Sequence, residues 1–75
     1  MNINLAIRTG SKLLKDKYIL NPQLDSEILL AKTIKRDRNY ILLNSNNFVN
    51  ESDLICFNKL IEKRSLGNPI AYLTN

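Results

Sequence analysis

The sequence has no histidine and no tryptophan, and it has one cysteine, two glycines and two prolines. Without histidine there is no imidazole base, no histidine-containing metal site and no serine–histidine pair. One cysteine excludes an intramolecular disulfide and cannot build a structural zinc site. The glycines, Gly10 and Gly67, are too far apart to form a phosphate-binding loop. We therefore expect no catalytic, metal-binding or cofactor-binding residue in this chain.

Long apolar runs are also missing. No segment approaches the ~20 apolar residues of a membrane span, and the first residues lack the basic and apolar regions of a secretory signal. Because no disulfide can form within the chain, a reducing compartment suits the lone Cys56, which we expect to be an inert, partly buried thiol. These absences predict a cytoplasmic protein without a membrane partner.

What the chain does contain is an ordinary globular composition in 75 residues, 44% hydrophobic and 24% charged. A chain of this length has room for one small domain, which buries only about 60% of its unfolded surface. Lysine and arginine outnumber the acids by 11 to 7, for a net charge of +4. Acids fall near predicted helix starts and bases near helix ends, as the helix macrodipole favours. The charges favour a solvated surface, with a surface that docks a partner as the alternative.

The first helix is predicted over about residues 4–17. Ile3, Ile7, Gly10 and Leu14 follow one another at the spacing of an amphipathic helix. Gly10 lies on this apolar stripe, where glycine costs about 1 kcal/mol relative to alanine. Close contact with a crossing helix explains a glycine at this position better than a bound ligand does.

A second helix is predicted to begin at Asn21-Pro22, with asparagine as the N-cap and proline at the first helical position. Apolar residues then cover a wide arc of its surface: Leu24, Ile28, Leu29, Leu30, Ala31 and Ile34. A helix that is apolar over so wide an arc needs neighbours on more than one side. We expect this helix to be the central element of the core.

Two further helices complete the predicted domain. Asp37 caps a short third helix, which ends in the polar segment 44–47. Phe48 is expected to fold back onto the core. Asn50 caps a fourth helix that runs to Leu66. The predicted fold class is all-α, a small orthogonal bundle of four to five helices that ends in the start of an extended linker.

The last segment, residues 67–75, carries four residues that set its predicted conformation: Gly67, Pro69, Ile70 and Tyr72. Gly67 accepts the left-handed conformation that ends a helix, and Pro69 lacks the N–H that would continue it. The apolar residues that follow are strand-prone and have no partner strand. We expect a helical domain over residues 1–66 and a linker from residue 67 onward, leading into a further domain.

Two blocks of the sequence resemble one known family. The segment Gly67-Asn68-Pro69-Ile70-Ala71-Tyr72-Leu73-Thr74 is similar to the boundary between the N-terminal helical domain and the catalytic domain of the HemK/PrmC family. The run Asp25-Ser26-Glu27-Ile28-Leu29-Leu30, followed by Arg36 and Arg38, is similar to a run in the same N-terminal domain. The resemblance covers about residues 20–75. The family commonly has glycine where Lys35 and Asn75 stand, so we expect local differences there.

Members of this family are S-adenosylmethionine-dependent enzymes that methylate the glutamine of the Gly-Gly-Gln motif in peptide-chain release factors. The resemblance implies that this chain is a helical domain that helps to recognise the release factor. It also implies that the catalytic residues and the cofactor pocket lie in a separate, Rossmann-like domain. The implied partners are the release factor and that catalytic domain, and neither a membrane nor a nucleic acid is expected.

The matched family positions within the helices are Asp25, Glu27, Arg36 and Arg38. The two acids, near a helix start, are expected to pair with Arg36 or Arg38 across the following turn and to fix its angle. Direct contact with the partner protein is the alternative. A surface pair contributes only ~0–1 kcal/mol, and a partly buried pair contributes more.

Three other interpretations stay open. A relative that methylates a glutamine on a ribosomal protein carries a similar N-terminal domain. A free-standing basic helical module that binds RNA or DNA would need one continuous basic face, whereas the bases here are dispersed among helix ends. The third is a pure interaction or oligomerisation domain, although the sequence has no sustained heptad.

Overall fold

The computed structural model describes all 75 residues. It has five helices and no strand: α1 (Ile3–Asp16), α2 (Pro22–Ile34), α3 (Arg38–Leu43), α4 (Glu51–Ser65) and α5 (Ile70–Leu73). The predicted all-α bundle is confirmed. The helices form a body of 29 × 24 × 22 Å around one apolar cluster. None of them has the length and apolar content that crossing a membrane requires.

α1 forms where the sequence predicted an amphipathic helix. The Asn2 side chain caps it by accepting a hydrogen bond from the Leu5 N–H at 2.8 Å. A Cβ at Gly10 would lie 3.0 Å from both Ile61 Cδ1 and Phe57 Cζ, so α4 approaches α1 more closely here than a larger residue would easily allow. The predicted contact between Gly10 and a crossing helix is confirmed.

α2 is the central helix, as predicted, and it contacts each of the other four helices. Leu29, Leu30 and Ala31 are its buried apolar residues. Pro22 occupies the first helical position, where its missing N–H leaves no backbone bond unmade. Asn21 stands at the N-cap, but its side chain makes no capping hydrogen bond. The sequence therefore predicted the start of α2 correctly and the capping bond wrongly.

α3 and α4 begin where the sequence predicted. Asp37 caps α3 by accepting a hydrogen bond from the Tyr40 N–H at 2.9 Å, and the Asn50 side chain caps α4 in the same way at 2.8 Å. On α4, Phe57 is buried in the core. Cys56 is exposed, so the expected partly buried thiol is wrong. Neighbouring residues on a helix are about 100° apart around its axis, which turns Cys56 away from the face that buries Phe57.

The segment before α4 lies against the N-terminus of the chain. Phe48 forms an isolated antiparallel bridge with Asn2, and the Val49 N–H donates to the Met1 carbonyl at 2.9 Å. Successive side chains of an extended segment point to opposite sides. Val49 is buried, and Phe48 therefore faces solvent with 77% of its surface exposed. The prediction that Phe48 folds back onto the core is wrong, because Val49 takes that place.

α5 stands where the sequence predicted the start of an extended linker. Gly67, with a φ of 101°, follows the end of α4 as predicted. Pro69 then occupies the N-cap position of α5, where the absence of an N–H does no harm. Ile70 and Leu73 both pack against the core. A strand would point residues three positions apart to opposite faces, so the prediction of extended structure is wrong over residues 70–73.

Candidate functional site

Three consecutive polar residues of α2 are buried: Asp25, Ser26 and Glu27. Because the side chains of a helix are spread by about 100° per residue, Asp25 and Glu27 point to different sides of α2. Each of the two carboxylates meets an arginine from a different part of the chain. The two ion pairs therefore attach separate elements to the central helix.

Glu27 pairs with an arginine across the turn between α2 and α3. Arg38 Nε donates to Glu27 Oε1 at 2.8 Å, and the Gln23 side-chain amide donates to the second carboxylate oxygen at 3.2 Å. The Glu27 side chain is 5% exposed, whereas that of Arg38 is 50% exposed. The predicted pairing of these two residues is confirmed, and it links the start of α3 to α2.

Asp25 pairs with a residue that the sequence did not indicate. Arg64 Nε donates to Asp25 Oδ2 at 2.9 Å, and Arg64 Nη1 donates to the Asn68 carbonyl at 3.1 Å. The prediction that Asp25 pairs with Arg36 or Arg38 is therefore wrong. The last turn of α4 returns to the first turns of α2 and brings Arg64 closer than either. Arg64 joins α2, α4 and the connection to α5.

Arg36 makes none of the ion pairs of the structure. Its guanidinium carbon lies 4.8 Å from the centre of the Tyr40 ring, within the range of a cation–π contact. The Tyr40 hydroxyl accepts a hydrogen bond from Asn47 Nδ2 at 3.1 Å. Arg36 and Tyr40 thus form a stacked unit that is tied to the segment carrying Phe48.

This stacked unit borders a cleft of about 340 Å³, which we call the Arg36 cleft. Its lining combines one base, one acid and two aromatic rings: Arg36, Asp53, Tyr40 and Phe48. Ile3, Ile34 and Val49 contribute apolar side chains. The sequence patterns indicated Arg36 but neither Phe48 nor Asp53 as a candidate. The signal that could have identified Phe48 as an exposed residue was the pair Phe48-Val49 after a polar segment. In extended structure only one of two adjacent apolar residues can face the core.

The four residues predicted for the linker lie apart from this cleft, and none of them lines it. Gly67 follows the end of α4, Pro69 precedes α5, and Ile70 packs against the core. Tyr72 is 76% exposed on α5. These residues set the path of the chain after α4 and bring no side chain to the Arg36 cleft.

Lys35 holds a backbone conformation that lysine disfavours, with φ 60° and ψ 44°. The Arg36 N–H donates to the Ala31 carbonyl at 3.0 Å and the Lys35 N–H to the Lys32 carbonyl at 3.3 Å, a pattern that ends a helix through a left-handed residue. A residue with a Cβ is disfavoured there by about 1–2 kcal/mol. The family that the sequence resembles commonly has glycine at this position, and glycine adopts the left-handed conformation of this turn without that cost.

The sequence matches a described domain family. Residues 6–74 match the family model of the PrmC N-terminal domain. The chain therefore belongs to the PrmC N-terminal domain family, and the resemblance found in its sequence is confirmed at that level.

Curated relatives agree with the family. The release factor glutamine methyltransferase of Buchnera aphidicola subsp. Acyrthosiphon pisum is 36% identical over 73 residues, which cover 97% of this chain and 26% of the relative. The release factor glutamine methyltransferase of Aliivibrio fischeri is 38% identical over 53 residues, 71% of this chain and 19% of the relative. The bifunctional methyltransferase of Rickettsia conorii is 38% identical over 56 residues, 75% of this chain and 11% of the relative.

The chain spans about a quarter or less of the length of these relatives. No solved structure matches it. The similarity thus concerns one domain of longer proteins.

Proposed function

We propose that this chain is the substrate-recognition domain of a protein-(glutamine-N5) methyltransferase that acts on peptide-chain release factors. The observation that carries the proposal is the family match over residues 6–74, together with relatives named release factor glutamine methyltransferase over nearly the whole chain. The proposed target is the glutamine of the Gly-Gly-Gln motif. The proposed methyl donor is S-adenosylmethionine, bound by a catalytic domain outside this chain, and the proposed location is the cytoplasm.

We propose that this chain does not hold the nucleoside-type methyl donor. Doubly wound folds hold such ligands where glycines at a strand-to-helix turn let the backbone approach them closely. This chain has two glycines and no strand. Gly10 faces Phe57 and Ile61 in the core. We therefore assign no step of methyl transfer to this chain, and its proposed contribution is binding of the protein substrate.

A binding domain raises the rate in this proposal because the target glutamine alone offers few contacts. A second contact surface increases the effective concentration of the glutamine loop at the catalytic domain. The net charge of +4 would also speed encounters with an acidic partner. A rigid domain serves this purpose better than a loose one, because less conformational freedom is lost on binding.

The test compares the full-length enzyme with a variant that lacks residues 1–66. Each is assayed on an intact release factor and on a short peptide that contains the Gly-Gly-Gln sequence. We expect kcat/KM on the intact factor to fall at least about 10-fold, equivalent to about 1.4 kcal/mol. The rate on the peptide should not change, and it reports whether the catalytic half is intact. An unchanged kcat/KM on the intact factor would contradict the recognition role.

The same assay separates the two protein substrates that the sequence left open. A ribosomal protein with an exposed glutamine replaces the release factor at equal concentration. The proposal expects methyl incorporation into the release factor to dominate. Faster methylation of the ribosomal protein would assign the chain to that other substrate.

A further inference from the structure

We propose that the Arg36 cleft binds an amphipathic segment of the partner protein. A carboxylate of that segment pairs with Arg36, and an apolar side chain of the segment packs on Phe48. The identity of the partner, a release factor, rests on the function proposed above. The surface assigned here is additional to it.

Phe48 is an exposed aromatic residue on a backbone segment that is held in place. It leaves 77% of its surface in water, while the next residue, Val49, is 3% exposed. The backbone is held on both sides of the ring: the Ile3 N–H donates to the Asn47 carbonyl at 2.9 Å, and the Val49 N–H donates to the Met1 carbonyl at 2.9 Å. Because the backbone that carries the ring is already ordered, binding through this residue costs little backbone freedom, which suits a contact residue.

Arg36 supplies a charged group that makes no ion pair within the chain. Its guanidinium stacks on Tyr40, and no carboxylate of the chain lies within ion-pair distance of it. By contrast, Arg38 and Arg64 are occupied by Glu27 and Asp25. A stacked guanidinium keeps its N–H groups in one plane, ready for two parallel hydrogen bonds to a carboxylate.

The chemistry of the cleft fits a polypeptide better than a nucleic acid. Asp53 lines the cleft together with Arg36, so the two side chains contribute no net charge. A phosphate backbone depends on several bases and is repelled by such an acid. A protein segment can offer a carboxylate to Arg36, an N–H to Asp53 and an apolar side chain to Phe48. The volume of about 340 Å³ lies at the small end of ligand-sized clefts, about 300–1,000 Å³, and suits a few side chains.

The test titrates the 75-residue chain into an intact release factor by isothermal calorimetry. Two variants change the cleft, Arg36→Glu and Phe48→Ser. Each has a matched control outside the cleft: Lys59→Glu makes the same charge change on an exposed position of α4, and Leu43→Ser removes an 83% exposed leucine of α3. All four side chains are exposed, so the variants should keep the fold, which circular dichroism checks.

We expect each cleft variant to raise Kd at least about 10-fold and each control to change Kd less than about 2-fold, as expected of a small number of dominant contacts. If the unmodified chain binds and the cleft variants bind equally well, the cleft is not the contact surface, although the recognition role survives. Absence of binding by the unmodified chain would overturn both. Tighter binding of a single-stranded RNA than of the release factor, at the same salt concentration, would also overturn the assignment.

Discussion

The two carboxylates of α2 are held in different ways, although only Ser26 separates them in sequence. The arginine that pairs with Glu27 lies 11 residues away in the sequence, whereas the arginine that pairs with Asp25 lies 39 residues away. The Arg38 side chain is 50% exposed, whereas the Arg64 side chain is 22% exposed. The first pair fixes one turn, and the second holds the end of α4 against the start of α2. We therefore expect the two ion pairs to contribute unequally to the free energy of unfolding.

The largest change in the free energy of unfolding is expected from Arg64→Met. Methionine keeps much of the aliphatic packing but leaves the buried Asp25 carboxylate without its partner. Removing one partner of a buried pair destabilises a protein by about 3–5 kcal/mol, and the partial exposure of Arg64 lowers our expectation to about 2–3 kcal/mol. The contact with the Asn68 carbonyl is also lost, so hydrogen exchange of the α5 amides should become faster. Urea unfolding measures the loss of stability.

Lys63→Met is the matched control for that variant. It removes the same charge one position earlier, from an exposed residue without an ion pair. Its effect should stay within about 0.5 kcal/mol. Adding Asp25→Asn to Arg64→Met should restore part of the lost stability, because no unpaired charge is then buried. Equal losses in Arg64→Met and Lys63→Met would mean that the pair of Asp25 with Arg64 does not stabilise the fold.

Arg38→Met breaks the other pair, in which the carboxylate is also buried, and should lower the free energy of unfolding by a smaller amount, about 1–2 kcal/mol. Half of the Arg38 side chain is in water, and Glu27 keeps the hydrogen bond from Gln23. Arg8→Met, an identical change at an exposed position of α1 without an ion pair, is the control. Urea unfolding should rank Arg64→Met below Arg38→Met in stability. The reverse order would show that proximity in sequence, and not burial, sets the strength of the pair.

The difference between the two pairs also explains which features the sequence could predict. The caps at Asp37 and Asn50, the stripe of α1 and the close approach at Gly10 follow from neighbouring residues, and all are confirmed. The pair of Glu27 with Arg38 spans a single turn and was foreseen in the same way. Local patterns are sufficient where the partner lies within a turn or two of the chain.

Features that depend on distant parts of the chain were not foreseen. Arg64 was not recognised as the partner of Asp25, because nothing within the sequence of α4 selects one acid over another. The orientation of Phe48 depends on a backbone bridge to Asn2, at the other end of the chain. α5 has four residues, too few to be stable alone, and its side chains Ile70 and Leu73 pack on a core built by other helices. The Arg36 cleft could not be predicted for the same reason, since Phe48 and Asp53 reach it only through tertiary contacts.

The residue between the two carboxylates gives a sharper comparison, because Ser26 is buried without any hydrogen-bond partner for its hydroxyl. Ser26→Ala removes an unpaired polar group and introduces a better helix former, so it should stabilise the chain by about 0.5–1 kcal/mol. Ser11, whose hydroxyl is also unpaired, is the matched position on α1 and should respond in the same direction. A lower urea midpoint for Ser26→Ala would indicate that the hydroxyl is hydrogen-bonded in solution.

The smallest change in the free energy of unfolding is expected at the turn between α2 and Arg38. Lys35 stands there with a φ of 60°, and Tyr18 repeats that conformation after α1 with a φ of 62°. Lys35→Gly removes the cost of about 1–2 kcal/mol that a residue with a Cβ incurs in the left-handed conformation. Glycine also gives the unfolded chain more conformational freedom, which costs about 0.5–1 kcal/mol. The free energy of unfolding should therefore rise by about 0.5 kcal/mol. Lys35→Ala keeps the Cβ and should give no gain. Tyr18→Gly should match Lys35→Gly, because both side chains are exposed and the two turns share nearly the same φ and the same pattern of backbone hydrogen bonds. A gain at Tyr18 with a loss at Lys35 would mean that the lysine side chain itself supports the turn between Glu27 and Arg38.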